Sequence, residues 1–242
     1  MFHLLFKEFA TFFAAPIGYI VVGIFLLMTS LFLWVVPGDF NIIYGGYANL
    51  DGLFMLAPLM YLFLVPAVTM RLFAEEKKTG TMELLLTHPI KKIEIVTAKY
   101  LAGVLLVLFS LLPTLVYVFS LWVLADPSGN IDTGGIWGSY IGLFFLALVY
   151  VAIGVFASSL TDNQIVSFIL AAVLCFVFYY GFDMLSSMST DGNTQTFISS
   201  LGINSHYESM SRGVIDSRDV LYFISVCFIF IYVTNLVISK KK

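Results

Sequence analysis

The chain has 242 residues, of which 60% are hydrophobic and 11% charged, with a formal net charge of −3 at pH 7. Water-soluble domains run at about 45–50% apolar, so the surplus must face something other than water, and an all-α polytopic membrane protein is the class that remains. The absence of a basic stripe excludes nucleic acid as a partner, and Cys175 and Cys227, far apart inside apolar runs, read as small packing residues rather than as a disulfide or metal pair.

Residues 1–15 come first. Phe2, Leu5, Phe6, Phe9, Phe12 and Phe13 recur at helical spacing, with Lys7, Glu8 and Thr11 between them and Pro16 behind. This stripe predicts an amphipathic helix lying in the membrane interface, stopped before the chain turns into the bilayer. The alternative is that it lengthens the first span. Residues 17–36 are an uncharged run of 20. That exceeds the roughly 7–15 apolar residues of a secretory leader, and no small-residue cleavage pattern follows, so the segment is expected to stay in the mature protein.

Five further spans are predicted at 53–70, 98–124, 136–160, 165–185 and 220–239. They keep charge to their ends, as a mid-bilayer charge costing about 2.5–3.5 kcal/mol requires. Pro58 and Pro66 in the second span and Pro113 in the third remove backbone donors and mark kinks. Gly134, Gly138 and Gly142 permit a close helix approach at the start of the fourth span. Only Thr161, Asp162, Asn163 and Gln164 separate the fourth and fifth spans, which predicts a helical hairpin. Asp183 reads as interfacial rather than as a proton relay.

The longest stretch outside the spans runs from about 186 to 219. Tyr207, Met210 and Val214 fall on one helical face there, Gly213 can end that helix, and Asp216 or Ser217 can cap the last span. Arg212 and Arg218 stand among Glu208, Asp216 and Asp219, where local ion pairing explains them more simply than substrate contact. Placing both termini in the cytoplasm puts Lys7, Arg71, Lys77, Lys78, Lys91, Lys92, Lys99 and Lys240 to Lys242 inside, and only Arg212 and Arg218 outside. That is the positive-inside bias.

Between the second and third spans, residues 73–92 read FAEEKKTGTMELLLTHPIKK, with four Lys and three Glu. Gly80 can end one helix and Thr81 can cap the next. Met82, Leu84, Leu85 and Leu86 make an apolar patch beside Glu83, and Pro89 stops the helix, with Thr87 or His88 capping another that restarts there. The product is a short amphipathic helix parallel to the membrane. Apolar teeth with a charged rim suit a partner's groove, while a solvated basic loop remains the plainer reading of the same residues.

Residues 71–103, RLFAEEKKTGTMELLLTHPIKKIEIVTAKYLAG, resemble the loop between spans two and three of type-2 ABC export permeases. The resemblance rests on Glu75, Glu76, Gly80, Thr81, Glu83, Leu84, Leu85 and Pro89; Ala98 departs where that family often has Gly. FAAPIGYIVV at 13–22 and SHYESMSRGVIDSRDVLYF at 205–223 are similar to the family's entry into its first span and its external segment before the last. The overall pattern is similar in particular to the gliding-motility-associated permease subunits of Bacteroidetes-type bacteria. The resemblance implies that residues 73–89 are a coupling region seated in a separate ATPase subunit, which binds the ATP and Mg. It further implies an external gate helix in which His206, Arg212, Gly213, Asp216, Arg218 and Asp219 are structural. A second permease, either a copy or a larger paralogous subunit, would complete an exporter in the bacterial inner membrane.

The chain has no GxxxxGK phosphate loop and no HExxH pair, and its histidines, His3, His88 and His206, lie in three regions. No catalytic residue, cofactor or metal site is therefore expected in a single six-span domain over residues 1–242. The expected function is the permease subunit of an ATP-driven exporter, linked to gliding motility or surface-component export. Its rivals are a non-transporting scaffold that anchors an ATPase to envelope machinery and a self-sufficient channel.

Overall fold

The computed structural model describes residues 2–87 and 90–240, and every regular element among them is helical. Helix α1 (Phe2–Ala14) is separated from α2 (Pro16–Ser30) by an extended Ala15. Pro16 opens α2, where a missing N–H leaves no intrahelical bond unmade. α1 is therefore a helix in its own right and not an extension of the first span. It turns Leu4, Leu5, Glu8 and Phe12 inward and leaves Phe2 and Phe6 exposed.

Among the described residues, six helical stretches are long and apolar enough to cross a membrane: Pro16–Val35, Asp51–Thr79, Lys92–Leu124, Thr133–Leu160, Gln164–Ser187 and Ser217–Lys240. The first ends in a π-helical turn, Leu31–Val35, and leads to the short α3 (Ile42–Gly45), capped by Asn41. The second consists of α4 (Asp51–Thr69) and α5 (Arg71–Thr79). α4 runs through both Pro58 and Pro66, and the interruption comes later, at Met70. The helix continues to Thr79 rather than stopping near residue 70, because charge does not end a helix whose backbone is otherwise satisfied. Gly80, at φ +71°, then reverses the chain into α6 (Thr81–Thr87).

Thr81 is the first residue of α6 and not its cap; its hydroxyl donates back to the Glu76 carbonyl at 3.5 Å. The next described helix, α7 (Lys92–Leu111), begins at Lys92, with an extended Lys91 before it. The Thr87 hydroxyl donates to the Leu84 carbonyl at 2.8 Å, while His88 and Pro89 lie outside the described residues. Pro113 falls in a 3₁₀ turn, Leu112–Thr114, that divides α7 from α8 (Leu115–Leu124), as a lost donor within a span should.

α9 (Thr133–Leu160) is the axis of the bundle, in contact with α4, α5 and α7. It pairs as a hairpin with α10 (Gln164–Phe176), whose cap, Asn163, accepts from Ile165 N at 2.9 Å. A π-helical turn, Val177–Gly181, links α10 to α11 (Phe182–Ser187), and α12 (Gly192–Ser199) and α13 (Ile203–Ser211) follow before α14 (Ser217–Lys240). Lipid removes most of the hydrophobic drive for helix pairing, so close backbone approach has to hold the bundle. Gly154 sits against Thr69, a Cβ on Gly142 would stand 2.8 Å from the Cβ of Met210, and one on Gly138 would stand 2.5 Å from the Cα of Gly213. The glycine stripe of α9 thus receives α13.

Because successive spans alternate in direction, α1, α5 and α6 share one end with the end of α14; Lys92 Nζ reaches the Ser239 carbonyl at 3.5 Å there. We call this the near end. α3, α12 and α13 lie at the far end, where the Tyr207 hydroxyl donates to the Phe54 carbonyl at 2.7 Å. Val214 departs from the expected face: it lies beyond the end of α13 and is exposed, whereas Tyr207 and Met210 are buried.

Candidate functional site

The near end carries a cleft of about 390 Å³ between α1, α5, α6 and α7. Its floor is Lys99, which has 0% exposure although it opens the long apolar part of α7. A buried ammonium needs acceptors, and two elements supply them. Lys99 Nζ lies 3.0 Å from Glu8 Oε1 on α1 and 2.8 Å from Glu76 Oε1 on α5. It also stands 5.3 Å from the Phe73 ring centroid, within cation–π reach. One lysine on α7 thereby ties α1 to α5.

α5 is held equally firmly from its other side. Phe73 and Ala74 lie in the first turn of α5, and Ser158 Oγ of α9 accepts from both amides at 3.0 and 3.1 Å. The same hydroxyl donates to the Met70 carbonyl at 3.0 Å, and Lys77 Nζ bonds to the Ser159 carbonyl. Arg71 and Glu75 form a bidentate pair along α5, at 2.7 and 3.0 Å. The result is a short rigid helix that continues a span and is pinned to α1, α7 and α9.

α6 hangs from α5 through Gly80. Met82 turns inward, Leu85 is half-buried, and Leu84 is 67% exposed beside an exposed Glu83. Of the predicted patch, Met82 and Leu85 anchor α6 and Leu84 faces out, while the side chain of Leu86 lies outside the described residues. Of the residues singled out from the sequence, Glu75, Glu76, Thr81, Leu84 and Leu85 line the one cleft. Lys99, Glu8 and Ser158 were not anticipated as a group. The only signal for Lys99 was a lysine within the apolar run AKYLAGVLL, which obliges a partner without saying where it lies.

At the far end the expected residues do not converge on one point. His206 Nδ1 is 2.6 Å from Asp219 Oδ1, its Nε2 is 2.9 Å from the Ser200 carbonyl, and its ring stacks on Tyr222 at 3.9 Å. Arg212 pairs with Glu208. Asp216 Oδ1 accepts from Arg218 N at 2.9 Å and so caps α14, while the Arg218 side chain makes no ion pair among the described residues. Gly213, at φ +82°, ends the α13 turn and rests on Gly135. Ser139 Oγ also donates to the Ser211 carbonyl at 2.7 Å. α13 is therefore bound to α4, α9 and α14 at once.

A family model described as ABC-2 family transporter protein matches residues 28–239. No curated protein matches the chain.

Proposed function

The chain belongs to the ABC-2 transporter family and is a multi-pass membrane permease subunit, and from that premise we propose that α6 is where its ATPase partner docks. The observation that carries this reading is the combination at the near end: an exposed Leu84 and Glu83 on a short helix, joined to an α5 that is fixed to three other elements. A partner's push on α6 passes into α5, because Gly80 is the only described break between them. From α5 it reaches α4 by direct continuation, α9 through Ser158, and α1 with α7 through Lys99. The near end then faces the cytoplasm of a bacterial inner membrane, both termini are cytoplasmic, and ATP and Mg belong to the partner. α1 lies in the interface with Phe2 and Phe6 toward lipid.

At the far end, α13 is the gate. Its bonds to α4, α9 and α14 let a movement of the second, fourth and sixth spans reach it, and His206, Arg212, Gly213, Asp216, Arg218 and Asp219 keep its geometry. A second permease, a copy or a larger paralogue, completes the exit path, and the complex serves export in gliding motility or surface assembly. The test is Glu83→Lys in the reconstituted complex. Normal abundance with ATP hydrolysis freed from transport is the expected result, and wild-type coupling at normal abundance would sink the docking assignment. A complex that hydrolyses ATP in vesicles yet moves no solute or lipid would favour a scaffold.

A further inference from the structure

A second cavity, of about 650 Å³, opens at the far end between α4, α9, α13 and the π-helical turn Val177–Gly181. Small-molecule sites occupy roughly 300–1,000 Å³. Phe54, Tyr179, Tyr180 and Tyr207 form its aromatic walls. Neighbouring residues of an α-helix point about 100° apart, and the wider π turn lets Tyr179 and Tyr180 both line the cavity. Tyr179 is only 5% exposed, with its ring edge-on to those of Tyr150 and Tyr180 at 6.3 and 4.6 Å. Its hydroxyl makes no hydrogen bond among the described residues and is not fully buried, so it is left open to an occupant of the cavity.

The charge around this space is lopsided. Asp51, Asp132 and Glu208 line it against one cation, Arg212, which is already paired with Glu208. Asp51 and Asp132 meet only neutral donors, Asn49 Nδ2 at 2.9 Å and Gly135 N at 3.0 Å. Two carboxylates, each at a helix N-terminus, thus stand without a paired cation among the described residues, beside four aromatic rings. An anion would be repelled here, whereas an ammonium finds aromatic rings and negative charge together.

We propose that this cavity binds an organic cation, presented either by a soluble amine or quaternary ammonium compound or by a lipid headgroup. Binding needs no nucleotide and does not depend on docking at α6.

The test is equilibrium dialysis of tritiated benzyltrimethylammonium against the purified full chain in phosphatidylglycerol nanodiscs at about 0.15 M salt, where surface attraction is screened within roughly 8 Å, with empty discs subtracted. Saturable binding is expected, displaced by the unlabelled cation and not by benzoate or benzyl alcohol. Tyr179→Leu should weaken it by about 2- to 30-fold, the range that loss of a cation–π contact spans. Asp51→Asn, at an exposed position, should weaken it severalfold. Competition by phosphatidylethanolamine added to the discs identifies the headgroup as the source, and its failure to compete identifies a soluble cation. The proposal is overturned by no saturable binding above empty discs, by equal competition from benzoate, or by wild-type affinity in the Asp51→Asn variant.

Discussion

Replacing Lys99 with Met keeps the length of the side chain and removes the ammonium that Glu8 and Glu76 share at 3.0 and 2.8 Å. The two carboxylates then face each other without a counter-charge. At a separation of about 5 Å and an effective dielectric near 20, their repulsion is about 3 kcal/mol. The same figure sits at the low end of the roughly 3–5 kcal/mol measured when one partner of a buried pair is removed. The low end is appropriate because Glu76 keeps 17% of its side-chain exposure. For a chain of this size, about 3 kcal/mol lowers the melting temperature by roughly 6–12 °C. Tryptophan-fluorescence melting of the purified protein, in one detergent throughout, measures it. Adding Glu8→Gln and Glu76→Gln to Lys99→Met removes the repulsion and should restore stability to within about 1 kcal/mol of wild type. A Lys99→Met protein that melts like wild type refutes the clamp, as does a triple variant that melts as low as the single one.

Other expectations follow from the same contacts. Ser158→Ala strips an acceptor from Phe73 N and Ala74 N; the loss is about 1–3 kcal/mol, and hydrogen exchange at those two amides should accelerate while α4 is unchanged. Gly138→Ala sets a Cβ 2.5 Å from the Cα of Gly213. Backbone cannot step aside cheaply, so about 1–3 kcal/mol is lost, whereas Gly23→Ala, with nothing within 4 Å of the added atom, melts at or above wild type. Leu84→Ser should leave the melting temperature nearly unchanged, since exposed changes stay within about 0.5 kcal/mol, yet reduce recovery of the ATPase in a mild-detergent purification.

Much of this architecture was legible in the residues. Long uncharged runs located all six spans, the polar turn at 161–164 placed the hairpin, and Gly80 and Gly213 marked two helix ends at positive φ. The stripe of Gly134, Gly138 and Gly142 announced a close approach without naming its partner, which proved to be α13. Boundaries failed where tertiary bonds took over from propensity. α5 prolongs the second span where Ser158, 85 residues from Phe73, supplies an acceptor to its first turn. Lys99 looked like one more cytoplasmic cation, because Glu76 and Glu8 lie 23 and 91 residues away along the chain. Val214 kept the helical period that placed it on the α13 face, but the helix ends at Ser211. The far-end cavity was invisible for the same reason: its walls come from separate helices and a π turn that no periodicity signals.

The central claim is that α6 meets an ATPase, and the most direct measurement is photocrosslinking from its exposed tooth. A photoreactive benzoylphenylalanine at position 84, irradiated in native membranes, should yield one dominant adduct whose tryptic peptides carry a GxxxxGK phosphate loop, while the same probe at Leu221, exposed on α14 near the far end, should not. An adduct at position 84 that contains only lipid, or a partner without a nucleotide-binding signature, would contradict the account.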